Sequence, residues 1–91
     1  MKVLVTKAFA KALTSLPPDR QRGIQDRLRI FVSSQEANSL RFRPFQGLSG
    51  YFLINGKGGD RILLRQEDED TFTAVDVGPH DTVLRRWNRR K

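Results

Sequence analysis

Two rhythms divide the chain. Through Ser33 the apolar residues recur every three or four positions, whereas beyond Leu40 they alternate with polar ones or run in short blocks between turn-forming residues. Residues 2–6, KVLVT, precede the first rhythm and read as a β-branched strand. Phe9, Ala12, Leu13 and Leu16 then fall at helical spacing, and Pro17 and Pro18 stop that helix because a proline disfavours helical geometry in the residue before it. The same prolines open a second helix over 18–33, where the first position loses nothing by lacking an N–H and Asp19 suits the positive end of the dipole. Its apolar stripe is Ile24, Leu28 and Phe31, with Val32 adjoining.

After a polar loop at 33–39 the period becomes two. LRFRPF (40–45) alternates until Pro44, which limits it to an extended segment or edge strand. GYFLIN (50–55), DRILLRQ (60–66) and TFTAVDV (71–77) read as three successive strands. Their short connections, Gly56-Lys57-Gly58-Gly59 and the acidic run 67–70, predict a β-meander with antiparallel pairing. Gly78 and Pro79 end the last strand. Asp81 or Thr82 is placed to cap a final helix carrying Val83, Leu84 and Trp87, with the residues from Trp87 onward expected to fray. The order β-α-α-β-β-β-α predicts an α+β fold, a helical hairpin packed on an antiparallel sheet.

At 91 residues the chain is a single domain, 1–91. Its 17 Lys+Arg against 10 Asp+Glu leave a formal charge of +7, which points to an anionic partner such as nucleic acid or an acidic protein segment. The absence of cysteine excludes disulfides, thiolate zinc sites and cysteine nucleophiles. The first ten residues are too short and too quickly charged for a secretory signal, and no stretch is apolar enough to span a bilayer, so the expectation is a soluble intracellular protein without a membrane partner.

Four features carry candidate chemistry. On DRILLRQ, Arg61, Leu63 and Arg65 share one face while Ile62 and Leu64 share the other. If the apolar pair covers the helical hairpin, the arginines lie on the open face, where two guanidinium groups can hold phosphates, or else pair with carboxylates such as Asp76. His80, the single histidine, follows a strand end directly. An imidazole there can act as general base, or merely cap the helix or bond a carbonyl. One histidine with only Asp76 and Asp81 nearby does not make a metal site. Arg85, Arg86, Arg89, Arg90 and Lys91 form a basic C-terminus suited to attracting phosphate, with Trp87 expected to dock its helix to the core. The acidic run 67–70 lacks calcium-loop spacing and reads as a solvated turn.

The opening FAKALTSLPP, the stretch Phe45-Gln46-Gly47-Leu48-Ser49-Gly50, the DRILLRQ strand and the closing VDVGPHDTVLRRW together resemble the RelE/ParE superfamily, the toxins of bacterial type II toxin–antitoxin modules. The resemblance implies one of two activities. RelE-like members are mRNA endonucleases that work in the ribosomal A site by 2′-hydroxyl attack without a metal or cofactor; ParE-like members block DNA gyrase without catalysis. Both are cytoplasmic and are neutralised by a cognate antitoxin. Carried onto this sequence, Arg61 matches the arginine at the scissile phosphate, Arg65 a second basic position, and His80 a catalytic position. Asp81 would orient His80, and Lys57, Arg85 and Arg86 would assist in binding substrate. The paired lysines of RelE are missing, with Phe52 and Ile54 in that stretch, and a frequent tyrosine is Leu84. A third reading is a non-toxic basic module that binds RNA or an acidic partner. The endonuclease reading requires His80, Arg61 and Arg65 to converge on one concavity.

Overall fold

The computed structural model describes residues 1–34 and 38–88. Part of the loop expected at 33–39, and Arg89, Arg90 and Lys91 of the basic terminus, lie outside the described residues. The elements follow the order β1 (Lys2–Val5), α1 (Lys7–Thr14), α2 (Pro18–Ser33), β2 (Arg43–Pro44), β3 (Tyr51–Asn55), β4 (Asp60–Asp68), β5 (Thr71–Pro79) and α3 (His80–Asn88). Thr6 caps α1, its hydroxyl accepting from the Phe9 N–H at 3.0 Å. Pro18 occupies the first turn of α2, with Asp19 beside it. No helix among the described residues is long and apolar enough to cross a membrane.

The five strands lie in the order β1-β5-β4-β3-β2. β2 through β5 pair antiparallel, as their turns require, but β1 runs parallel to β5, with Lys2 opposite Thr71 and Val5 opposite Ala74. The sheet is therefore mixed at one edge rather than antiparallel throughout. Short turns fix direction only for the strands they join, whereas β1 leaves through the helical layer and is free to align either way. LRFRPF yields a two-residue edge strand, as its proline predicts.

The α1–α2 hairpin covers one face of the sheet. Phe9, Ile24 and Phe31 pack there on Ile54, Ile62, Leu64, Phe72, Ala74 and Val77. Phe31 meets Phe72 edge-on with ring centres 5.2 Å apart, and burying each ring contributes roughly 2–3 kcal/mol. Val32, expected beside the apolar stripe, is instead exposed together with Leu4 and Val5.

The opposite face is not open. α3 lies across it, and Phe45, Leu53, Leu63, Val75 and Val83 form a second core, flanked by Tyr51, Leu84 and Trp87. Leu63, between the two arginines, is 0% exposed. A bulge in β5 makes this possible: Leu64 pairs with Ala74 but Leu63 with Asp76, so one residue is inserted and Val75 and Asp76 both serve the α3 side. The Asp76 carboxylate accepts from Arg86 Nε at 2.9 Å, Arg86 Nη2 at 2.7 Å and Trp87 Nε1 at 2.8 Å. Trp87 thus docks its helix, as its position predicts, with its polar edge satisfied. α3 starts at His80, ahead of the expected caps, so Asp81 lies within its first turn.

Candidate functional site

The turn between β3 and β4 organises one end of the α3-covered face. Gly58 takes a left-handed conformation there, with φ +63°, which a residue without Cβ adopts without strain. Three successive carbonyls, Gly58 to Asp60, accept hydrogen bonds. Arg61 Nη1 donates to the Asp60 carbonyl at 2.8 Å and to the Gly58 carbonyl at 3.4 Å. The backbone N–H of His80 donates to the Gly59 carbonyl at 3.0 Å. Arg61 and His80 are therefore tied to consecutive residues of one turn, although they belong to different elements. Arg61 stands opposite Gly78 on β5, over which the Arg86 guanidinium and Val83 of α3 lie, and opposite Asn55 on β3.

His80 has its side chain 46% exposed, with Nδ1 at 3.2 Å from Asp81 Oδ1. That carboxylate is 94% exposed, so water screens the contact and Asp81 orients the ring only weakly. Arg61 has no carboxylate within ion-pair distance among the described residues, and its buried Nε has no hydrogen-bond partner there.

Arg65 stands apart from Arg61, so the three-group convergence expected from the sequence is not met. Arg65 lies four residues along β4, roughly 13 Å at 3.3 Å per residue, beyond the buried Leu63. Its Nε donates to Glu67 Oε2 at 2.9 Å. Its carboxylate partner lies two residues along its own strand and is not Asp76, which α3 occupies. The Thr73 hydroxyl, and after it the Arg65 guanidinium, hold the Glu67 carboxyl below the usual carboxylate range. A carboxyl depressed in the folded state adds stability above its unfolded pKa and loses it as pH falls through the folded one. Glu67→Gln is accordingly expected to flatten the loss of stability between about pH 5 and 3, measured by denaturant titration at each pH. An unchanged pH slope would contradict the contact's role.

The remaining candidates are dispersed. Arg86 is held by Asp76, and Arg85 is exposed on α3. Lys57 turns to the helical side, where a Cβ built on Gly23 of α2 would lie 3.1 Å from its chain. It lines a cleft of about 390 Å³ with Asp19, Arg20, Gly58, Gly59, Asp60 and Pro79. Phe52 and Ile54, read above as standing where RelE carries lysines, face the helical core, so the β3 side chains flanking Arg61's face are Leu53 and Asn55.

One residue escaped the sequence reading. Arg43 of β2 lies on the Arg61 face and donates through Nη1 to Asn55 Oδ1 at 3.1 Å. The alternation in LRFRPF was its signal, since residues opposite a Phe42 that packs against the core must face the other way.

Helices on both faces of a mixed five-stranded sheet, with the meander β3-β4-β5 at its centre, define the RelE-like α+β fold. Among solved structures with this fold is the RelB–RelE antitoxin–toxin complex from Methanococcus jannaschii, 21% identical, with a TM-score of 0.72 over 92% of this chain and 98% of that one. The YoeB/ParE toxin from Agrobacterium tumefaciens is 16% identical, with a TM-score of 0.70 over 88% of this chain and 99% of its own. The isolated RelE toxin of E. coli is 12% identical, with a TM-score of 0.65 over 98% and 97%. No family model and no curated protein matches the sequence.

Proposed function

We propose that this protein is the toxin of a toxin–antitoxin pair and that it cleaves mRNA on the ribosome by metal-independent attack of a 2′-hydroxyl. The observation that supports the reading is that the Arg61 guanidinium and the His80 backbone are both held by carbonyls of residues 58–60, with Arg61 lacking a carboxylate partner among the described residues. His80 takes the proton of the 2′-hydroxyl as its oxygen bonds to the adjacent phosphorus. The bond from phosphorus to the 5′ oxygen breaks, leaving a 2′,3′-cyclic phosphate, and the 5′ oxygen takes up a proton in turn from the imidazolium or from water. Arg61 stabilises the charge that gathers on the phosphoryl oxygens between these steps. Arg65, neutralised by Glu67, helps hold the strand at a distance rather than at the reacting phosphate.

The fold's likeness to toxins solved with their antitoxins, and a net charge of +7, support an acidic antitoxin as the neutralising partner and the cytoplasm as the place of action. The second reading, a gyrase inhibitor without chemistry, draws on the lysines missing from β3, whose side chains beside Arg61 on this face are the uncharged Leu53 and Asn55. Reconstituted translation separates the two. The expected result is mRNA cut only when ribosomes are present, with a cyclic phosphate at the new end. Intact mRNA together with arrested supercoiling by purified gyrase would replace the first reading with the second.

A further inference from the structure

We propose that Arg43 and Arg61 form a two-guanidinium clamp for the phosphodiester backbone of single-stranded RNA, with Asn55 fixed between them. The proposal rests on the nuclease reading for the identity of its ligand, but its geometry stands on its own. Antiparallel pairing sets Arg43 opposite Leu53, and two residues further along β3 sets Asn55 opposite Arg61. Arg43 would begin one row away from Arg61, but its guanidinium reaches across to Asn55 Oδ1 at 3.1 Å. The same Nη1 donates to the Arg41 carbonyl at 2.6 Å. Arg41 is the one described non-glycine residue with positive φ, at 50°, a conformation costing roughly 1 kcal/mol. That turn directs its carbonyl at the guanidinium, so local strain is spent on aiming a cation.

Among the described arginines, Arg20, Arg29, Arg65 and Arg86 pair with carboxylates: Asp60, Asp26, Glu67 and Asp76. Of the others, Arg43 and Arg61 share one face of adjoining strands, near enough for each charge to act on the other. Neither has a carboxylate partner among the described residues, and both are held by neutral acceptors alone. Partial burial, and then the nearby charges of Arg61 and Arg41, push the Arg43 guanidinium below its ordinary pKa, yet an arginine stays charged. Like charges gathered without a counter-ion, with N–H groups left over, lower the cost of binding an anion. Guanidinium groups spaced across two strands suit successive oxygens along a phosphodiester chain better than a single compact anion.

The test uses a fluorescein-labelled single-stranded DNA oligonucleotide, which shares the backbone but lacks the attacking 2′-hydroxyl. Its anisotropy is followed over a salt series with the intact protein. Arg43→Ala is expected to weaken binding about tenfold and to reduce the log K against log salt slope by about 0.7, the share of one phosphate contact on a single strand. Arg43→Gln, which keeps a polar side chain but not the charge, is expected to lose the same slope, and an unchanged melting temperature in both variants separates charge from folding. Arg29→Ala, on the outer face of α2 and paired with Asp26, should change neither value. An unaltered slope in both Arg43 variants overturns the clamp, even if the wild-type protein cuts mRNA. A lost slope in a protein that cuts nothing leaves the clamp standing and removes the nuclease.

Discussion

His80→Ala is expected to slow ribosome-dependent cleavage by about 10²–10⁴-fold, the usual contribution of a general base, while shifting the melting temperature by no more than about 2 °C. The two halves of that expectation have different origins. Chemically, no other histidine exists to take over the proton. Structurally, the imidazole is half exposed and meets only an exposed carboxylate, so its loss opens no cavity and orphans no buried group. The bond that ties this residue to the Gly59 carbonyl is made by its backbone N–H and survives the substitution. Single-turnover cleavage of programmed ribosomes, alongside thermal unfolding, measures both. Full activity in a folded His80→Ala variant would remove the imidazole from the mechanism. Arg61→Ala acts on the same transition state, so the double variant should fall only slightly below the worse single one.

The sequence revealed most where one residue decides local geometry. Pro18 set the start of α2, and the alternation in DRILLRQ sent Ile62 and Leu64 to the helical core. Most of what it concealed depended on contacts between distant segments. Nothing local in KVLVT distinguishes a parallel partner from an antiparallel one. The covering of Leu63 by α3 has no local signal, and neither does the β5 bulge, which inserts Val75 without any glycine or proline to mark it. Arg65 looked equivalent to Arg61 because strand period alone places both on one face. They differ because Arg65 has Glu67 two residues along the same strand, a local pairing that the period itself allowed, whereas the residue two before Arg61 is Gly59. Arg43 was legible in its alternation, yet its meeting with Asn55 depends on a register that short edge strands do not encode.

Arg20→Ala is expected to lower the melting temperature on the order of 10 °C, and clearly more than Asp60→Asn does, although each variant removes one side of the same pair. Arg20 Nε donates to Asp60 Oδ2 at 3.0 Å and Arg20 Nη2 to Oδ1, a two-point contact joining α2 to the start of β4. Its two ends are unequally buried: the Arg20 side chain is 40% exposed and that of Asp60 only 4%. An arginine that loses its partner can swing into water, whereas a carboxylate that loses its partner here stays buried without compensation. Removing Arg20 therefore strands a charge, and Asp60→Asn, made in the Arg20→Ala background, should recover part of the loss. Scanning calorimetry of the three variants tests this, and an Asp60→Asn protein as unstable as Arg20→Ala would contradict it. The consequence reaches the site. Asp60 sits between Gly59, whose carbonyl holds His80, and Arg61, which bonds the Asp60 carbonyl itself. Loosening this residue lets imidazole and guanidinium drift relative to each other, and alignment errors of about 1 Å can cost 10²-fold in rate. Arg20→Ala should consequently lose activity well below its melting temperature, as a positioning residue would and a purely structural one would not.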